Sequence, residues 1–203
     1  MIKREKRKIY EKCVKRIFDV IFACVFLFLL SPILLLTAIA VRCNLGAPVI
    51  FKQRRVGLGG SEFVIFKFRT MTDNRDSNGA LLSDSERQTG FGRFLRKTSI
   101  DELPQLINIL RGEMSFVGPR PQLSEFLPYY TEDEMKRHSV RPGLTGLAQV
   151  NGRNSLPWKK RFEFDCEYAK NISFGLDLKI LFLTFVTLFG KGKDGEIENF
   201  YDR

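Results

Sequence analysis

An adjacent pair of acids is the part of this sequence best suited to chemistry. Asp101 and Glu102 stand side by side, and Arg96 precedes them in the same segment. A carboxylate can attack phosphorus to form an acyl phosphate, and arginine binds phosphate through paired N–H donors. His138 is the only histidine, so a Ser-His-Asp triad and a multi-histidine metal site are nearly excluded. The residue types therefore indicate catalysis by carboxylates and arginines, with or without a hard metal ion.

The acidic pair also has a purely structural explanation. The pattern predicts a helix that begins near Asp101 and runs to Arg111, with Gly112 as its stop signal. Aspartate is a favourable N-cap, Pro104 is tolerated in a first turn, and helix starts attract acids. Phosphate would use the same geometry, because the free N–H groups at a helix start bind anions. From the residues alone, capping and catalysis both stay open.

Three arginines stand in segments that fix the backbone. Arg120 lies between two prolines, Arg141 is followed by Pro142, and Arg153 lies in an Asn-Gly-Arg-Asn turn. A rigid backbone presents a guanidinium with little conformational entropy left to lose. Each arginine could equally hold loop carbonyls, but three such segments in a basic chain favour an anionic ligand. We therefore predict substrate-binding roles for Arg120, Arg141 and Arg153.

Other familiar sites are missing from the sequence. It contains neither the GxxxxGK[ST] phosphate loop nor the GxGxxG dinucleotide fingerprint. The four cysteines form no CxxC pair, so neither a disulfide framework nor a zinc site is indicated. A reducing cytoplasm is the simplest setting for such a chain.

An apolar segment with a break at its centre would place this chemistry at a membrane. Residues 20–41 are almost wholly apolar apart from Ser31-Pro32, and lysines and arginines flank both ends. Pro32 removes a helix hydrogen bond, and Ser31 can donate back to the freed carbonyl, so a sharp bend is expected. Positive residues stay on the cytoplasmic side, so both ends favour the same face. We predict a re-entrant helix-break-helix; the alternative is a bent helix that spans the bilayer.

The overall charge agrees with a basic protein at a membrane surface. The chain has 203 residues, a formal net charge of +10 and a pI of about 9.6, which indicates an anionic partner. Anionic lipid and a phosphorylated substrate both fit, and basic residues beside an apolar segment favour lipid. Nucleic acid would explain the charge but neither the apolar segment nor the rigid arginine loops. No nucleic-acid partner is therefore predicted.

The rest of the sequence predicts a single helix-rich α/β domain with a small sheet. Two short strands are expected on either side of residues 58–60, and helices are expected at 122–138 and around 158–170. The last apolar segment could lie on the membrane interface or pack as core. We divide the chain into three parts: a basic amphipathic start with the re-entrant helix (1–43), a cytoplasmic catalytic domain (44–190) and a polar tail (191–203).

Four long strings, in order along the chain, resemble one protein family. They are KRIFDVIFA…LSPILLLTAIAV, VIFKQRRVGLGG…FVIFKFRTM, TSIDELPQLINILRGEMSFVGPRPQ and VRPGLTGLAQVNGRN. Together they are similar to the bacterial sugar transferases called monotopic phosphoglycosyl transferases, in their small form. The resemblance covers essentially the whole chain, so it is far more specific than any single motif.

The resemblance implies an enzyme that moves a sugar 1-phosphate from a UDP-sugar to undecaprenyl (polyprenyl) phosphate and releases UMP. In this family the first acid of the pair is a nucleophile that forms a covalent phosphosugar intermediate with magnesium present, which implies this role for Asp101. Glu102 would lie near the metal or handle a proton, so Mg²⁺ is expected at Asp101 and Glu102. Arg96, Arg120 and Arg141 correspond to motif arginines and would contact phosphate or nucleotide.

The same resemblance implies a location and partners. Ser31-Pro32 matches the break that makes the family's membrane helix re-entrant. A monotopic protein with surface amphipathic helices, on the cytoplasmic face of the bacterial inner membrane, is therefore expected. It would begin a glycan or glycoprotein pathway, with an N-acetylated amino sugar favoured over a hexose, and could meet a second copy of itself or glycosyltransferases of that pathway. The alternative is a non-catalytic adaptor that binds anionic lipid headgroups, which Asp101→Asn would leave unaffected.

Overall fold

The structure, a computed structural model, describes residues 9–152, residues 155–189 and Phe200. Arg153, residues 1–8 and the predicted polar tail (191–203, apart from Phe200) lie outside the described residues. The chain forms two compact units: the first comprises residues 1–22, 54–63 and 109–203, and the second comprises residues 23–53 and 64–108. The predicted division at 43 and 190 separates membrane from solvent and stays a prediction.

Helices dominate the described residues, and the strands are short. The helices are α1 (Lys15–Leu29), α2 (Ser31–Leu45), α3 (Asp84–Arg87), α4 (Gly90–Lys97), α5 (Gln105–Arg111), α6 (Glu132–Met135), α7 (Leu147–Val150), α8 (Trp158–Asn171) and α9 (Phe174–Phe189). The strands are β1 (Ile50–Val56), β2 (Glu62–Phe68), β3 (Ser115–Val117) and β4 (Gly143–Thr145). β1 pairs with β2, and β3 pairs in parallel with β4. The prediction of a helix-rich α/β fold with a small sheet is confirmed.

The apolar segment is broken where the sequence predicts. α1 ends at Leu29 and α2 begins at Ser31, with a bend of 63° between the helical stretches on either side. Pro32 has no N–H to donate to the carbonyl of Phe28; the Ser31 hydroxyl donates to that carbonyl instead, at 2.8 Å. The expected bend and its local repair are therefore both present.

No single helix among the described residues is long and apolar enough to cross a bilayer. The bent pair of helices on either side of Leu30 meets that test only when its halves are taken together. Both halves carry large exposed apolar side chains: Ile21, Phe22, Phe28, Leu29, Leu35, Leu36 and Ile39. The bend is compatible with a re-entrant path.

The second unit has a core built from α2, α4 and β2. Val41 and Leu45 of α2 pack with Phe68 of β2 and Leu95 of α4. Ile100, which directly precedes the acidic pair, packs against the edge of this cluster. The core therefore anchors the chain on the N-terminal side of the candidate chemistry.

The first unit is organised around the parallel pair β3–β4, with α8 and α9 packed against it. Val117 of β3, Tyr168 of α8 and Ile180 of α9 share one buried cluster. The Tyr168 hydroxyl donates to the Asp177 carboxylate at 2.6 Å and lies 3.1 Å from the carbonyl oxygen of Val117. The two arginine-proline segments, Arg120-Pro121 and Arg141-Pro142, adjoin β3 and β4, so this core holds them on neighbouring strands.

The start of α1 is tied into the first unit by buried polar contacts. Lys15 pairs with Asp177 of α9 at 2.5 Å. Asp19 accepts hydrogen bonds from the Ser115 hydroxyl and from the Phe116 N–H, each at 3.0 Å. The chain that leads into the apolar segment is therefore fixed before the segment begins.

The predicted helix at 122–138 is wrong, and the one at 158–170 is confirmed by α8. The earlier segment contains a 3₁₀ turn at Ser124–Tyr129, then α6, then a second 3₁₀ turn at Lys136–Ser139. Pro128 lies in the first turn, and Thr131 opens α6 with a capping box. A proline followed by a strong helix start restarts the backbone instead of continuing one helix.

Helix α9 has one buried face and one exposed apolar face. Asp177 and Ile180 are buried, so one face belongs to the core of the first unit. The opposite face exposes large apolar side chains: Phe174, Leu178, Leu181, Phe182, Phe185 and Val186. An exposed apolar face of this kind is typical of an interaction site or a membrane contact.

Candidate active site

The acidic pair lies in a tight turn, not at the start of an α-helix. Asp101 and Glu102 belong to a 3₁₀ turn at Ile100–Glu102, and α5 begins only at Gln105. Pro104 has no N–H to donate to the Ile100 carbonyl, and Leu103 donates to that carbonyl instead, at 3.2 Å. The prediction of a helix starting at Asp101 is therefore wrong, and so is the explanation of Asp101 as its N-cap.

We call residues 99–104 the acidic turn. Its first residue, Ser99, has φ 56° and ψ 17°, a left-handed conformation that few residues other than glycine adopt. Asp101 is 6% exposed, whereas Glu102 is half-buried. The turn therefore presents two adjacent carboxylates in different surroundings, at a cost in backbone strain.

Lys67 is a site residue that the sequence analysis missed. Its ammonium group lies 2.7 Å from a Glu102 carboxylate oxygen, and both side chains are less than one-fifth exposed. A lysine that follows four consecutive apolar residues of β2 (Phe63 to Phe66) needs a partner when it is buried, and that requirement was the available signal. The ion pair places a positive charge next to the acidic pair.

Asn108 fastens α5 to the strand that carries Lys67. Its side-chain amide donates to the Val64 carbonyl at 2.7 Å, and its side-chain oxygen accepts from the Phe66 N–H at 3.1 Å. The Asn108 side chain is completely buried, and its two hydrogen bonds are those that a peptide group of a neighbouring strand would make to β2. α5 and β2 are held in register, which fixes the acidic turn relative to Lys67.

Arg96 is anchored at its base and exposed at its tip. The Nε group donates to the Thr70 hydroxyl at 3.0 Å, and one terminal nitrogen lies 3.3 Å from the sulfur of Met71. Gly92 makes this approach possible, because a Cβ at that position would stand 1.8 Å from the Thr70 carbonyl oxygen. Arg96 thus belongs to the same unit as the acidic turn, and its phosphate-binding role stays a prediction.

We call the segment around Arg120, residues 118–122, the arginine loop. Its carbonyls at positions 119 to 122 each accept a hydrogen bond, in chain order from Gly143 N–H (3.0 Å), the Arg137 guanidinium (2.7 Å), the Arg55 guanidinium (3.3 Å) and Val56 N–H (3.0 Å). The loop backbone is buried at Gly118, Pro119 and Pro121, while the Arg120 side chain is exposed. These hydrogen bonds fix the backbone at Arg120, and its substrate-binding role stays a prediction.

Arg141 holds a loop carbonyl, which was the structural alternative for these arginines. Its Nε group donates to the Gly112 carbonyl at 2.9 Å. Arg16 donates to the carbonyls of Ile109 and Leu110 at 2.5 and 2.7 Å. Two arginines therefore satisfy the C-terminal end of α5, a favourable place for positive charge. Arg141 has at least this structural role in addition to any contact with substrate.

The structure distributes the predicted site residues between the two units. Arg96, Asp101 and Glu102 lie in the second unit, and Arg120 and Arg141 lie in the first. Within the first unit, the backbones of the two arginine-proline segments meet, since Gly118 N–H donates to the Thr145 carbonyl at 2.8 Å. Arg153 lies outside the described residues.

His138 is buried behind the arginine loop. Its ring stacks on Tyr130, with 5.6 Å between ring centroids, and it forms a hydrogen bond with the backbone of Gly57. Burial, followed by the nearby Arg137 guanidinium, lowers the pKa of His138 from 6.5 to about 4. The imidazole is therefore neutral at pH 7 and acts as a packed structural group.

The donor chemistry of the acidic turn fits a hard cation. Within the described ranges, no three His, Cys, Asp or Glu residues come together as a metal-binding group. Mg²⁺ is commonly held by one or two carboxylates, with water and substrate phosphates as its other ligands. The adjacent carboxylates of Asp101 and Glu102 match that pattern.

Known proteins resemble this chain over most of its length. Residues 10–191 match the family described as bacterial sugar transferase. The chain is 56% identical to the uncharacterized sugar transferase EpsL of Bacillus subtilis, covering 84% of this chain and 85% of that protein. It is 42% identical to the UDP-glucose:undecaprenyl-phosphate glucose-1-phosphate transferase of Xanthomonas campestris, over 90% of this chain and 40% of that protein.

A third relative carries a different sugar in its name. It is the UDP-N-acetylgalactosamine-undecaprenyl-phosphate N-acetylgalactosaminephosphotransferase of Aeromonas hydrophila, 39% identical over 86% of this chain. The chain spans 43% of that relative's length and 40% of the length of the Xanthomonas protein. The family match extends from the first turn before α1 to beyond the end of α9, and it includes the acidic turn and the arginine loop. The chain therefore belongs to the bacterial sugar transferase family.

Proposed function

We propose that this chain transfers a sugar 1-phosphate from a UDP-sugar to undecaprenyl phosphate, giving an undecaprenyl-diphosphate-sugar and UMP. The observation that carries the proposal is the family match over residues 10–191. Relatives named for this reaction, with glucose or N-acetylgalactosamine, are between 39% and 45% identical to the chain. The buried carboxylate of Asp101 supplies a nucleophile for it.

The proposed reaction proceeds in two displacements at one phosphorus atom. An Asp101 carboxylate oxygen attacks the sugar-bearing phosphorus of the UDP-sugar, and the bond to the bridging oxygen breaks, so that UMP leaves with the electron pair. A phosphate oxygen of undecaprenyl phosphate then attacks the same phosphorus, and the acyl-phosphate bond breaks to restore the carboxylate. The covalent intermediate lets a soluble donor and a membrane-bound acceptor react in turn.

The surroundings of Asp101 support this role. Burial limits the access of water, which would otherwise hydrolyse an acyl phosphate. Lys67 offsets the charge of Glu102, and this reduces the repulsion that an incoming diphosphate meets. Arg96 and Arg120 have exposed side chains that can donate to phosphate oxygens. Mg²⁺, when bound, would be held by Asp101 and Glu102 with phosphate oxygens and would neutralise charge on the phosphates.

The direct test is intact-protein mass spectrometry of the detergent-solubilised chain with Mg²⁺ and separate UDP-sugars, without lipid acceptor. The panel includes UDP-glucose and N-acetylated amino sugars, since the relatives differ in sugar and the sequence analysis favoured the amino sugar. We expect a mass increase of one sugar phosphate with the correct donor, and none in Asp101→Asn. UMP release only when undecaprenyl phosphate is added, with no adduct, would favour direct transfer and assign Asp101 to the metal.

We further propose that the bent pair α1–α2 enters and leaves the cytoplasmic face of the membrane. The 63° bend, the basic flanks and the exposed apolar side chains support a re-entrant path. Such a path would hold the catalytic residues beside the headgroup of the polyprenyl acceptor. A bent crossing would instead place the two ends of the pair on opposite sides.

Native cysteines distinguish these paths. Cys13 and Cys43 are exposed and lie before and after the bend, and Cys24 lies within the apolar segment. Variants that keep one cysteine each are labelled with a membrane-impermeant maleimide in sealed inverted vesicles. Labelling of both Cys13 and Cys43 supports re-entry, with Cys24 as the protected control. Labelling of Cys43 only after the vesicles are opened contradicts it.

The non-catalytic adaptor is the competing function, and the basic composition is what favours it. An adaptor would bind vesicles containing anionic lipid, would release no UMP, and would be indifferent to Asp101→Asn. Vesicle binding that is unchanged in this variant, together with no adduct and no UMP from any donor, would replace the transferase proposal.

A further inference from the structure

Arg137 is the largest fully buried side chain among the described residues, and neither the fold nor the proposed reaction yet accounts for it. It is 1% exposed and lies in the 3₁₀ turn that precedes the second arginine-proline segment. Arginine is almost never fully buried unless it is paired. Its partner is Asp165 of α8, which is 3% exposed.

The guanidinium of Arg137 joins two parts of the first unit. Its Nε and one terminal nitrogen donate to the same Asp165 carboxylate oxygen, at 3.1 and 2.6 Å. That terminal nitrogen also donates to the carbonyl of Arg120, at 2.7 Å. The planar fork therefore connects α8 to the middle of the arginine loop.

Aromatic rings surround this ion pair. The guanidinium carbon lies 5.3 Å from the centroid of Phe162 and 6.0 Å from that of Tyr130, within the range of cation–π attraction. The cost of removing these charges from water is only partly compensated by hydrogen bonds. Within the described part of the chain, one oxygen of Asp165 and one terminal nitrogen of Arg137 have no hydrogen-bond partner. Apolar residues of similar volume can replace such pairs at little or no cost in stability. Stability alone is therefore a weak reason for this pair.

The arginine loop supplies a better reason. Two of its residues are prolines, which have no N–H, so the part of the loop around Arg120 is held mainly through its carbonyls and its packing. The Arg120 carbonyl is the one next to the exposed side chain, and the Arg137 fork fixes it. Without that hydrogen bond the Arg120 carbonyl would lose its Arg137 donor, and the direction of the Arg120 side chain would be fixed less tightly.

We infer that the buried Arg137–Asp165 pair is a positioning element that orients Arg120 toward the phosphate groups of the substrate. This inference rests on the proposed function, because it needs an anionic substrate for Arg120. Arg137 and Asp165 act through the backbone of Arg120 and do not touch substrate. The phosphate contact is made by the Arg120 side chain.

The test is a double-mutant cycle on transfer from the UDP-sugar identified by mass spectrometry. Arg120→Ala removes the contact, and the paired substitution Arg137→Met with Asp165→Leu removes the positioning element and leaves no buried charge behind. We expect each change alone to lower kcat/KM about 100-fold, as for a lost phosphate contact or its misplacement. Because both changes disable one contact, the combined variant should be less than about 5-fold below either one.

Losses that multiply to about 10,000-fold in the combined variant would overturn the inference, since the pair would then act independently of Arg120. Full activity of Arg120→Ala, or of the Met/Leu variant, would overturn it as well. The matched control is Lys136→Met, which removes the neighbouring, exposed partner of Asp133 and should keep activity within 2-fold of wild type.

A more conservative substitution tests the inference if the Met/Leu variant does not fold. Arg137→Lys keeps the charge beside Asp165 but cannot reach both Asp165 and the Arg120 carbonyl with a planar fork. It should remain folded, as measured by thermal unfolding in detergent, and should lose at least 10-fold in kcat/KM; full activity would overturn the positioning role. An active wild type with multiplicative losses rejects only this inference, whereas a wild type that forms neither adduct nor UMP rejects the proposed function and the inference with it.

Discussion

The acidic turn and the arginine loop both fix a charged side chain, but they do so by opposite means. The acidic turn has a strained residue, Ser99, and is fastened through side chains, by Lys67 on Glu102 and by Asn108 on β2. The arginine loop has proline on both sides of its charged residue, and its carbonyls are held from four directions.

The two segments also differ in how far their charged side chains are exposed to solvent. Asp101 is 6% exposed, whereas the Arg120 side chain projects into solvent from a buried backbone. A nucleophile gains from exclusion of water, and a residue that captures an incoming anion must reach it. The difference in exposure therefore agrees with the proposed roles, in which Asp101 would be a protected nucleophile and Arg120 a presented anion-binding group.

Removal of the protected carboxylate has the largest expected effect. Asp101→Asn should lower transfer by about 10⁴-fold or more, because a missing nucleophile cannot be replaced by its neighbours. The measurement is UMP release with saturating UDP-sugar and acceptor. Asp84→Asn, an exposed acid of the same unit, is the control and should keep near-wild-type activity. Activity of Asp101→Asn within 10-fold of wild type would remove Asp101 from the nucleophile role.

Disconnecting α5 from β2 should test how strongly the acidic turn depends on side-chain fastening. Asn108→Leu leaves the Phe66 N–H and the Val64 carbonyl without their partner in a buried site, so we expect a loss of about 3 kcal/mol in the free energy of unfolding. Denaturant unfolding in detergent measures it. Asn44→Ala breaks a single exposed bond to the Ala40 carbonyl and should change stability by less than about 0.5 kcal/mol. Equal effects of the two substitutions would mean that the Asn108 amide does not fasten the turn.

A methyl group at Gly92 should move α4 away from Thr70. The added Cβ would stand 1.8 Å from a backbone oxygen, so Gly92→Ala is expected to cost about 2 kcal/mol and to weaken the anchoring of Arg96. Gly90→Ala, in the same helix, meets its nearest atom at 3.8 Å and should be neutral or slightly stabilising. Thermal unfolding of both variants tests the contrast, and a Gly92→Ala variant as stable as Gly90→Ala contradicts it.

The smallest expected effect is a loss of folding stability at acidic pH, caused by protonation of His138. The folded-state pKa of His138 is about 4, below its unfolded value of 6.5, so its contribution to stability is present above pH 6.5 and is lost as the pH falls toward 4. We expect a loss of about 1 kcal/mol between pH 7 and pH 5.5. No other histidine titrates in this window, so His138→Gln should flatten the profile. An unchanged slope in that variant would contradict the assignment.

Features that depend on neighbouring residues were predictable from the sequence. The bend at Ser31-Pro32 and the rigid backbone around Arg120 follow from proline chemistry within a few residues. The acidic pair was found, but its helix was placed too early, because the residue pattern did not distinguish the 3₁₀ bond from Leu103 to Ile100 from the first turn of an α-helix. The residue types were informative there, and the turn geometry was not.

Features that depend on distant residues were not predictable. Lys67 and Glu102 are 35 positions apart, and Arg137 and Asp165 are 28 apart. A single sequence contains no signal for such pairs beyond the expectation that a lysine in an apolar strand needs a partner. Asn108 offered even less, because an asparagine that replaces a strand peptide resembles any other helical asparagine. Long-range pairing, not residue type, was the missing information.

The repair at the bend has a consequence for how the chain is made. The Ser31 hydroxyl, the Phe28 carbonyl and Pro32 all lie within about one helical turn, and the flanking bonds from Leu30 to Phe26 and from Leu34 to Leu30 complete the bend. These hydrogen bonds all lie within residues 26–34. During synthesis the bend can therefore form as soon as this short stretch becomes helical, before most of either compact unit has been translated. The change of direction within the apolar segment can therefore be present before the two compact units fold.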